Sequence, residues 1–350
     1  MSTTRRSYNI KKQKSKRKKV FMWIFVPILV LALSATAYGA FLYNKAQSVM
    51  DKSYNPIERK SSKRETVVDP QIDNISVLII GVDESEKRGT DSHGRSDALM
   101  LATFNEKAKS VKLVSIPRDS YVYIPEVGYE DKINHAHAFG GPAATIETVE
   151  ELLDIPVDFY VKVNFNAFMD IVDAVGGVEI NVAKAITEQD SQDRQGAINL
   201  QPGLQTLNGE QALAYSRTRF DNDIERGKRQ QEVLKALITK SVSLGSFTKH
   251  ADIIEAVGNN MSTDLTFNQM KSFIDYAAAG TSMDIQTLSL EGQDFWTTNS
   301  RGNRVYYYQV DQMKLATLQT TLKTHLGVAS AEDTNTSTTT AQEGNQSDSY

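Results

Sequence analysis

Hydrophobic and polar positions divide this chain into three kinds of territory. The first is Val20–Tyr43, 24 consecutive residues without a charge. As a helix it would measure about 36 Å, more than the roughly 30 Å of a bilayer's hydrocarbon core. Ala35-Thr36-Ala37 also has the form of a signal-peptide cleavage site. The apolar run continues past it to Tyr43 and the segment before the run is long, so an uncleaved anchor is expected. The second territory, 75–326, alternates short apolar runs with helical patterns. The third, 327–350, is Ser, Thr, Asn, Gln and acid, which cannot bury enough apolar surface to fold.

Within 75–326 the pattern predicts individual elements. Ile75–Ile80 is a short apolar run closed by Gly81, as in a strand buried on both faces. Ala98–Phe104 and Val111–Ile116 flank the turn-like Asn105-Glu106-Lys107-Ala108-Lys109 and predict a hairpin. Ala144, Ile146, Val149 and Leu153 have helical spacing within Ala143–Leu153. Phe159, Val161, Val163 and Phe165 alternate on one face of a strand over Asp158–Phe165. A short helix through Met169 and Val172, a strand Val178–Val182, a helix Arg226–Lys240, a strand Val305–Tyr308 and a helix Gln312–Leu326 follow. Strands and helices interleave while the hairpin demands antiparallel pairing, so the expected fold is α/β: a mixed central sheet flanked by helices, preceded by one transmembrane helix. The expected organisation is a basic tail 1–19, an anchor 20–43, a stalk 44–74, a folded domain 75–326 and a disordered tail 327–350.

Charge sharpens this picture. Nine of the 39 basic residues lie in 1–19, and all 43 acidic residues lie beyond Lys19. The positive-inside rule then places the N-terminus in the cytoplasm and the domain outside the cell. So acidic a body is a poor partner for nucleic acid, whose phosphates require basic surface. The chain has no cysteine, which excludes disulfides, thiolate metal sites and Cys nucleophiles. Its five histidines form no HExxH pair, and Walker A, GxGxxG and GxSxG motifs are absent.

Candidate chemistry collects just past strand ends, where α/β folds place their sites. Asp83 closes the first strand, Arg95 and Asp97 open the second, and Arg118 and Asp119 end the third. Later, Arg217, Arg219, Arg226 and Arg229 fall within 13 residues at the start of a helix, on which Arg226 and Gln230 share a face. Any one of these arginines alone reads as a surface ion pair. Together they match phosphate oxygens, which guanidinium forks bind bidentately, and carboxylates beside them suggest a bridging divalent cation. Spacing alone thus supports a metal-assisted phosphate or pyrophosphate site.

The same segments carry a resemblance. Leu78-Ile79-Ile80-Gly81-Val82-Asp83, Arg95-Ser96-Asp97, Ser115-Ile116-Pro117-Arg118-Asp119, Lys132-Ile133-Asn134-His135-Ala136, Asp173-Ala174-Val175-Gly176-Gly177-Val178 and the run Leu207 to Arg219 make the chain resemble the LytR–CpsA–Psr family of envelope proteins. The likeness is dense over 75–240. It implies an α/β/α fold whose apolar tunnel holds a polyprenyl tail, while arginines and Mg²⁺ (or Mn²⁺) hold the pyrophosphate. Asp83 and Asp97 would be metal ligands; Arg118, Arg217 and Arg219 would bind pyrophosphate, with Arg95, Arg226 and Gln230 lining the pocket. The tunnel wall would draw on the Phe159–Phe165 strand and the Phe168–Val172 helix, although each of those residues also reads as ordinary core. The charged stretch Glu84–His93 is longer than in the family, and residues 241–326 carry no transferable motif.

The implied reaction moves an anionic glycopolymer, a wall teichoic acid above all, from a polyprenyl pyrophosphate carrier to a peptidoglycan hydroxyl at the outer membrane face. Arg118 and Asp223 are the catalytic candidates, with Asp223 accepting the hydroxyl proton or, equally, capping the helix that follows it. Two alternatives compete: a lipid-pyrophosphate hydrolase, and a membrane-bound transcriptional attenuator. A cytoplasmic part of only 1–19 has no helix-turn-helix pattern, which weighs against the latter.

Overall fold

A computed structural model describes residues 34, 36–57, 63–64, 68–70, 72–83, 94–218, 223–243, 260–278, 284–298 and 302–328. The chain divides into two compact units, Met1–Ser48 and Val49–Tyr350. In the first, residues 36–48 are helical; the expected anchor lies mostly outside the described residues, among which no helix is long and apolar enough to cross a membrane. The tail 1–19 and all but the first two residues of 327–350 lie outside them as well.

The second unit is built on a six-stranded mixed sheet. Its first three strands are β1 (Ile75–Val82), β2 (Ser96–Asn105) and β3 (Ser110–Ile116). Two small strands, β4 (Tyr121–Ile124) and β5 (Tyr129–Lys132), precede helix α1 (Asn134–Leu153). Then come β6 (Phe159–Asn164), α2 (Phe165–Ala174), β7 (Val178–Val182), β8 (Ile186–Glu188), β9 (Ile198–Leu200) and β10 (Gly203–Leu207). Helices α3 (Gly209–Arg217) and α4 (Asp223–Ser243), strand β11 (Met261–Thr263) and helix α5 (Phe267–Ala278) lead to β12 (Asp284–Ser289). The hairpin β13 (Gly292–Thr298)–β14 (Arg304–Val310) and helix α6 (Gln312–Leu326) complete it.

The sheet order is β11-β6-β1-β2-β3-β12. β1 pairs antiparallel with β2 and parallel with β6, β2 antiparallel with β3, and β3 parallel with β12. β1 explains why its sequence is apolar throughout. Leu78, Ile80 and Val82 pack beneath Ile146, Val149 and Leu153 of α1 and Leu318 and Leu322 of α6. Ile75 and Val77 face the opposite side with Phe159 and Leu265, where Ile79 also meets Leu234 and Ile238 of α4. Helices thus cover both faces, giving three layers. A separate core joins α2, β7, β10, α3 and α4 through Val172, Val178, Leu207, Tyr215 and Val233.

Several elements differ from the expected ones for local reasons. The helix expected from Ala143 begins at Asn134, because Gly140, Gly141 and Pro142 kink it rather than start it. Gly141 sits at φ 64°, a conformation open to glycine at little cost. β6 stops at Asn164, whose side chain accepts from Ala167 N at 2.9 Å and caps α2, so Phe165 is helical rather than the last alternating strand residue. Within the segment read as a stalk, Asn55 N donates to Thr263 O, Tyr160 Oη donates to Asn55 O, and Val68 joins the core.

Candidate functional site

The C-terminal ends of β1, β3, β6 and β12 reach one edge of the sheet, and β2 starts there. The β1–β2 register slips at this edge: Gly81 pairs with Ala98 and Val82 with Ser96, leaving Asp97 as a bulged residue. A bulge re-aims the side chain it carries. Pro117 ends β3, and Ser120 returns both its N–H and its Oγ to Pro117 O, so Arg118 and Asp119 occupy the tip of a tight turn.

Arg118 is the hub. Its Nη1 donates to Asp97 Oδ1 at 3.0 Å, and its Nε lies 3.6 Å from both Asp119 Oδ2 and Asp223 Oδ2. Asp223, at the start of α4, also receives Arg226 Nη1 at 3.2 Å, and Lys132 Nζ donates to Asp119 Oδ1 at 2.8 Å. Three cations therefore stand among three carboxylates in a largely buried cluster. The hydrogen bonding is not saturated: Arg118 Nε and Asp223 Oδ2 are buried without a hydrogen-bond partner among the described residues. Such groups are costly unless a ligand completes them.

The cluster also separates the two acids that share Arg118. Burial disfavours the Asp119 carboxylate, but Lys132 and then Arg118 outweigh it and hold the group below its ordinary value. Asp223 goes the other way: burial, helped by the neighbouring Asp119 carboxyl, exceeds the pull of Arg226 and Arg118 and raises it. For Arg118, burial opposes the charge, yet Asp223, Asp119 and Asp97 raise its affinity for the proton. Two carboxyls with opposed shifts provide one permanent anion and one proton carrier.

α4 is held against the sheet closely enough to deliver Asp223 and Arg226. Gly227 packs so near β3 that a Cβ there would lie 2.4 Å from Ser115 Oγ. Buried Gln231 donates to Leu113 O at 2.9 Å and Leu288 O at 2.6 Å, tying α4 to β3 and β12. Arg217, in the last turn of α3, has its guanidinium 4.9 Å from the Phe165 ring centroid. Gln230 Nε2 donates to Ser216 O at 3.5 Å and Arg229 Nη2 to Thr218 O at 2.6 Å, so both brace the end of α3.

Of the residues singled out from the sequence, Asp97, Arg118, Asp119, Asp223 and Arg226 are brought into direct contact. Asp83 follows β1 beside the Asp97 bulge, half-buried. Arg95 is exposed, and among the described residues no ion pair or hydrogen bond ties it to the cluster. Arg219 and the stretch Glu84–His93 lie outside the described residues. Asp83 and Asp97 offer hard oxygen donors, but among the described residues no group of three or more His, Cys, Asp or Glu is arranged to hold a metal. The sequence does not mark Lys132 as a site residue: it stands in a motif segment, but only the folded turn shows that it neutralises Asp119.

Comparison with known proteins places these features in context. Residues 40–324 match the model of the LytR_cpsA_psr family. The chain is 40% identical over 324 residues to the polyisoprenyl-teichoic acid–peptidoglycan teichoic acid transferase TagT of Bacillus subtilis (strain 168), covering 90% of this chain and 98% of that one. It is 39% identical over 316 residues to the transferase TagU of Enterococcus faecalis (strain ATCC 700802 / V583), covering 89% and 99%. Among solved structures it is similar to the LytR-CPS2A-psr family protein YwtF (TagT) with bound octaprenyl pyrophosphate lipid, at a TM-score of 0.63 and 38% identity over 79% of this chain and 100% of that one.

Proposed function

This chain belongs to the LytR_cpsA_psr family, and we propose that it transfers an anionic glycopolymer, a wall teichoic acid, from a polyprenyl pyrophosphate carrier to a hydroxyl of peptidoglycan. The observation that carries this reading is Arg118: a guanidinium beside three carboxylates whose Nε is buried and lacks a hydrogen-bond partner among the described residues. A pyrophosphate oxygen is the acceptor that such a donor fits. Arg217 and Arg219 would share the charge, with Arg95, Arg226 and Gln230 lining the pocket.

In this reading the acceptor oxygen attacks the phosphorus attached to the glycopolymer. The bond to the bridging oxygen breaks, lipid phosphate leaves, and a phosphodiester joins polymer to glycan. The hydroxyl proton passes to Asp223, whose raised affinity for protons suits a base. Arg118 stabilises charge on the non-bridging oxygens as the bond shifts, which is the usual protein contribution to phosphoryl transfer. No nucleotide is needed, because the pyrophosphate already carries the activation.

Asp83 and Asp97 would hold Mg²⁺ or Mn²⁺, a hard cation that needs few protein ligands. The ion would supply neutralisation of the phosphate charge. The anchor at 20–43, with 1–19 in the cytoplasm and the domain outside, would hold the site beside its lipid substrate.

The test incubates the purified full-length protein with a polyprenyl pyrophosphate-linked teichoic acid, with and without peptidoglycan. Polymer joined to glycan only when acceptor is present is the expected outcome. Release of free polymer at the same rate in both arms would overturn the transferase reading in favour of hydrolysis.

A further inference from the structure

The hairpin β13–β14 is rich in exposed rings that the site does not use. Its register sets Phe295 opposite Tyr307 and Trp296 opposite Tyr306. Phe295 is 36% and Trp296 49% exposed, large apolar areas for a soluble surface to leave open. Tyr121 of β4 joins them, with ring centroids 4.7 Å from Tyr307 and 6.0 Å from Phe295. Trp296 meets Tyr306 edge-on at 5.2 Å, and the Arg304 guanidinium lies 4.5 Å from the Trp296 centroid, which fixes the indole's orientation.

This aromatic surface is wired to the reacting cluster. Lys132 Nζ lies 5.8 Å from the Tyr306 centroid and 5.6 Å from that of Tyr307, while its ammonium pairs with Asp119. The backbone is continuous too, since Tyr308 N donates to Asp119 O at 2.8 Å. A molecule lying on the rings thus has its near end at the turn that carries Arg118.

Successive strand residues face opposite ways, so Trp296 and Tyr306 share one face of the hairpin with Arg304 and Asp294, while Phe295, Tyr307 and Tyr121 lie on the other. The geometry points to an acceptor-binding platform on the first of these faces, where Trp296 and Tyr306 stack the sugar rings of a β-linked N-acetylhexosamine glycan. The inference rests on the transferase reading and names the surface that presents its acceptor. A pyranose offers an apolar C–H face to an aromatic ring and hydroxyls around its rim. Here the rings stand among rim-type partners: Arg304, and Asp294, which accepts from Tyr306 Oη at 2.9 Å. Tyr and Trp supply rigid, amphipathic area of the kind that such a half-wet ligand needs. A lipid surface fits less well. Asp294, Glu130 and Asp131 border the rings, whereas peripheral membrane faces carry excess lysine and arginine.

The test uses the full-length protein in detergent micelles and peptide-free linear glycan strands prepared from peptidoglycan. Only Trp23 and Trp296 occur in the chain, so in a Trp23→Phe background the indole emission reports on the hairpin alone. A saturable emission change on adding glycan is expected. Calorimetric affinity for glycan should fall at least tenfold in Trp296→Ala and in Tyr306→Ala and stay within threefold in Trp296→Phe. In the transfer assay the alanine variants should raise the KM for acceptor while kcat and the affinity for the lipid donor stay unchanged. Unaltered glycan affinity in both alanine variants, with their folding verified by circular dichroism, would overturn the proposal. So would loss of binding to anionic lipid vesicles with glycan affinity intact, which would assign the surface to the membrane. The glycan titration needs no turnover. Ring-dependent binding by a protein that transfers no polymer would therefore refute the transferase reading and leave the platform standing.

Discussion

Lys132 donates to Asp119 at 2.8 Å and is the largest of the contributions that hold this carboxyl below its ordinary value against burial. Burial raises Asp223 at the same time, so the two acids beside Arg118 do different work. Removing the ammonium as Lys132→Met lets the Asp119 carboxyl rise, so protons compete at higher pH. The acid limb of the kcat/KM profile should move to higher pH, and Lys132→Arg should move it less. An unshifted limb in Lys132→Met would show that the pair is not felt by the reaction.

Arg118→Lys keeps the charge but gives up the planar fork that contacts several oxygens at once. The loss is expected to be on the order of 2–3 kcal/mol, or roughly 30- to 150-fold in transfer rate. Arg217→Lys should behave similarly, because an ammonium stacks less well than a guanidinium on the Phe165 ring. Steady-state transfer assays check both, and near wild-type rates would make these arginines structural.

The metal proposal is tested by chelation. EDTA should abolish transfer, Mg²⁺ or Mn²⁺ should restore it, and Asp83→Asn or Asp97→Asn should raise the metal concentration giving half activity. Turnover that is indifferent to EDTA would remove the metal from the mechanism.

Gly227→Ala tests the close approach of α4 to β3. The added methyl meets Ser115 Oγ at 2.4 Å, a clash expected to cost about 1–3 kcal/mol and to displace Asp223 and Arg226. Ser115→Ala removes the offending oxygen, so the double variant should regain most of the lost stability in urea melts. Equal destabilisation of the single and double variants would contradict this packing.

His325 should give the domain a pH-dependent stability unrelated to catalysis. The imidazole is buried between Thr103 Oγ1 at 2.8 Å and Ser110 Oγ at 2.9 Å. Burial, with a smaller contribution from Lys112, lowers its value to about 4. The unfolded chain binds this proton near the ordinary value of about 6.5 and the folded one does not, so stability is complete above that pH and declines as pH falls towards 4. The urea midpoint should drop across this window, and the drop should shrink in His325→Gln. A variant with the wild-type slope would place the dependence elsewhere.

The local pattern was enough for the elements whose own residues specify them. β1 is apolar because helices cover both its faces, the β2–β3 turn and β7 are marked by their flanking residues, and α6 starts at Asp311, which accepts from Met313 N and Lys314 N. The segment order through Asp83, Asp97, Arg118 and Arg217 also carried the family resemblance, because motif spacing is a property of the chain alone. The pairing inside the site was not legible in this way. Asp97 reaches Arg118 through a bulge, Asp223 arrives on a helix whose approach depends on Gly227 and Gln231, and Lys132 comes from a short hairpin without a strong pattern. Of the aromatic hairpin the sequence marks only the strand Val305–Tyr308; its pairing with β13 and the exposure of its rings arise on folding. Periodicity records which face of an element is buried against its neighbours, whereas charge neutralisation, carboxyl shifts and exposed platforms arise from distances between elements far apart in sequence, and only folding sets those.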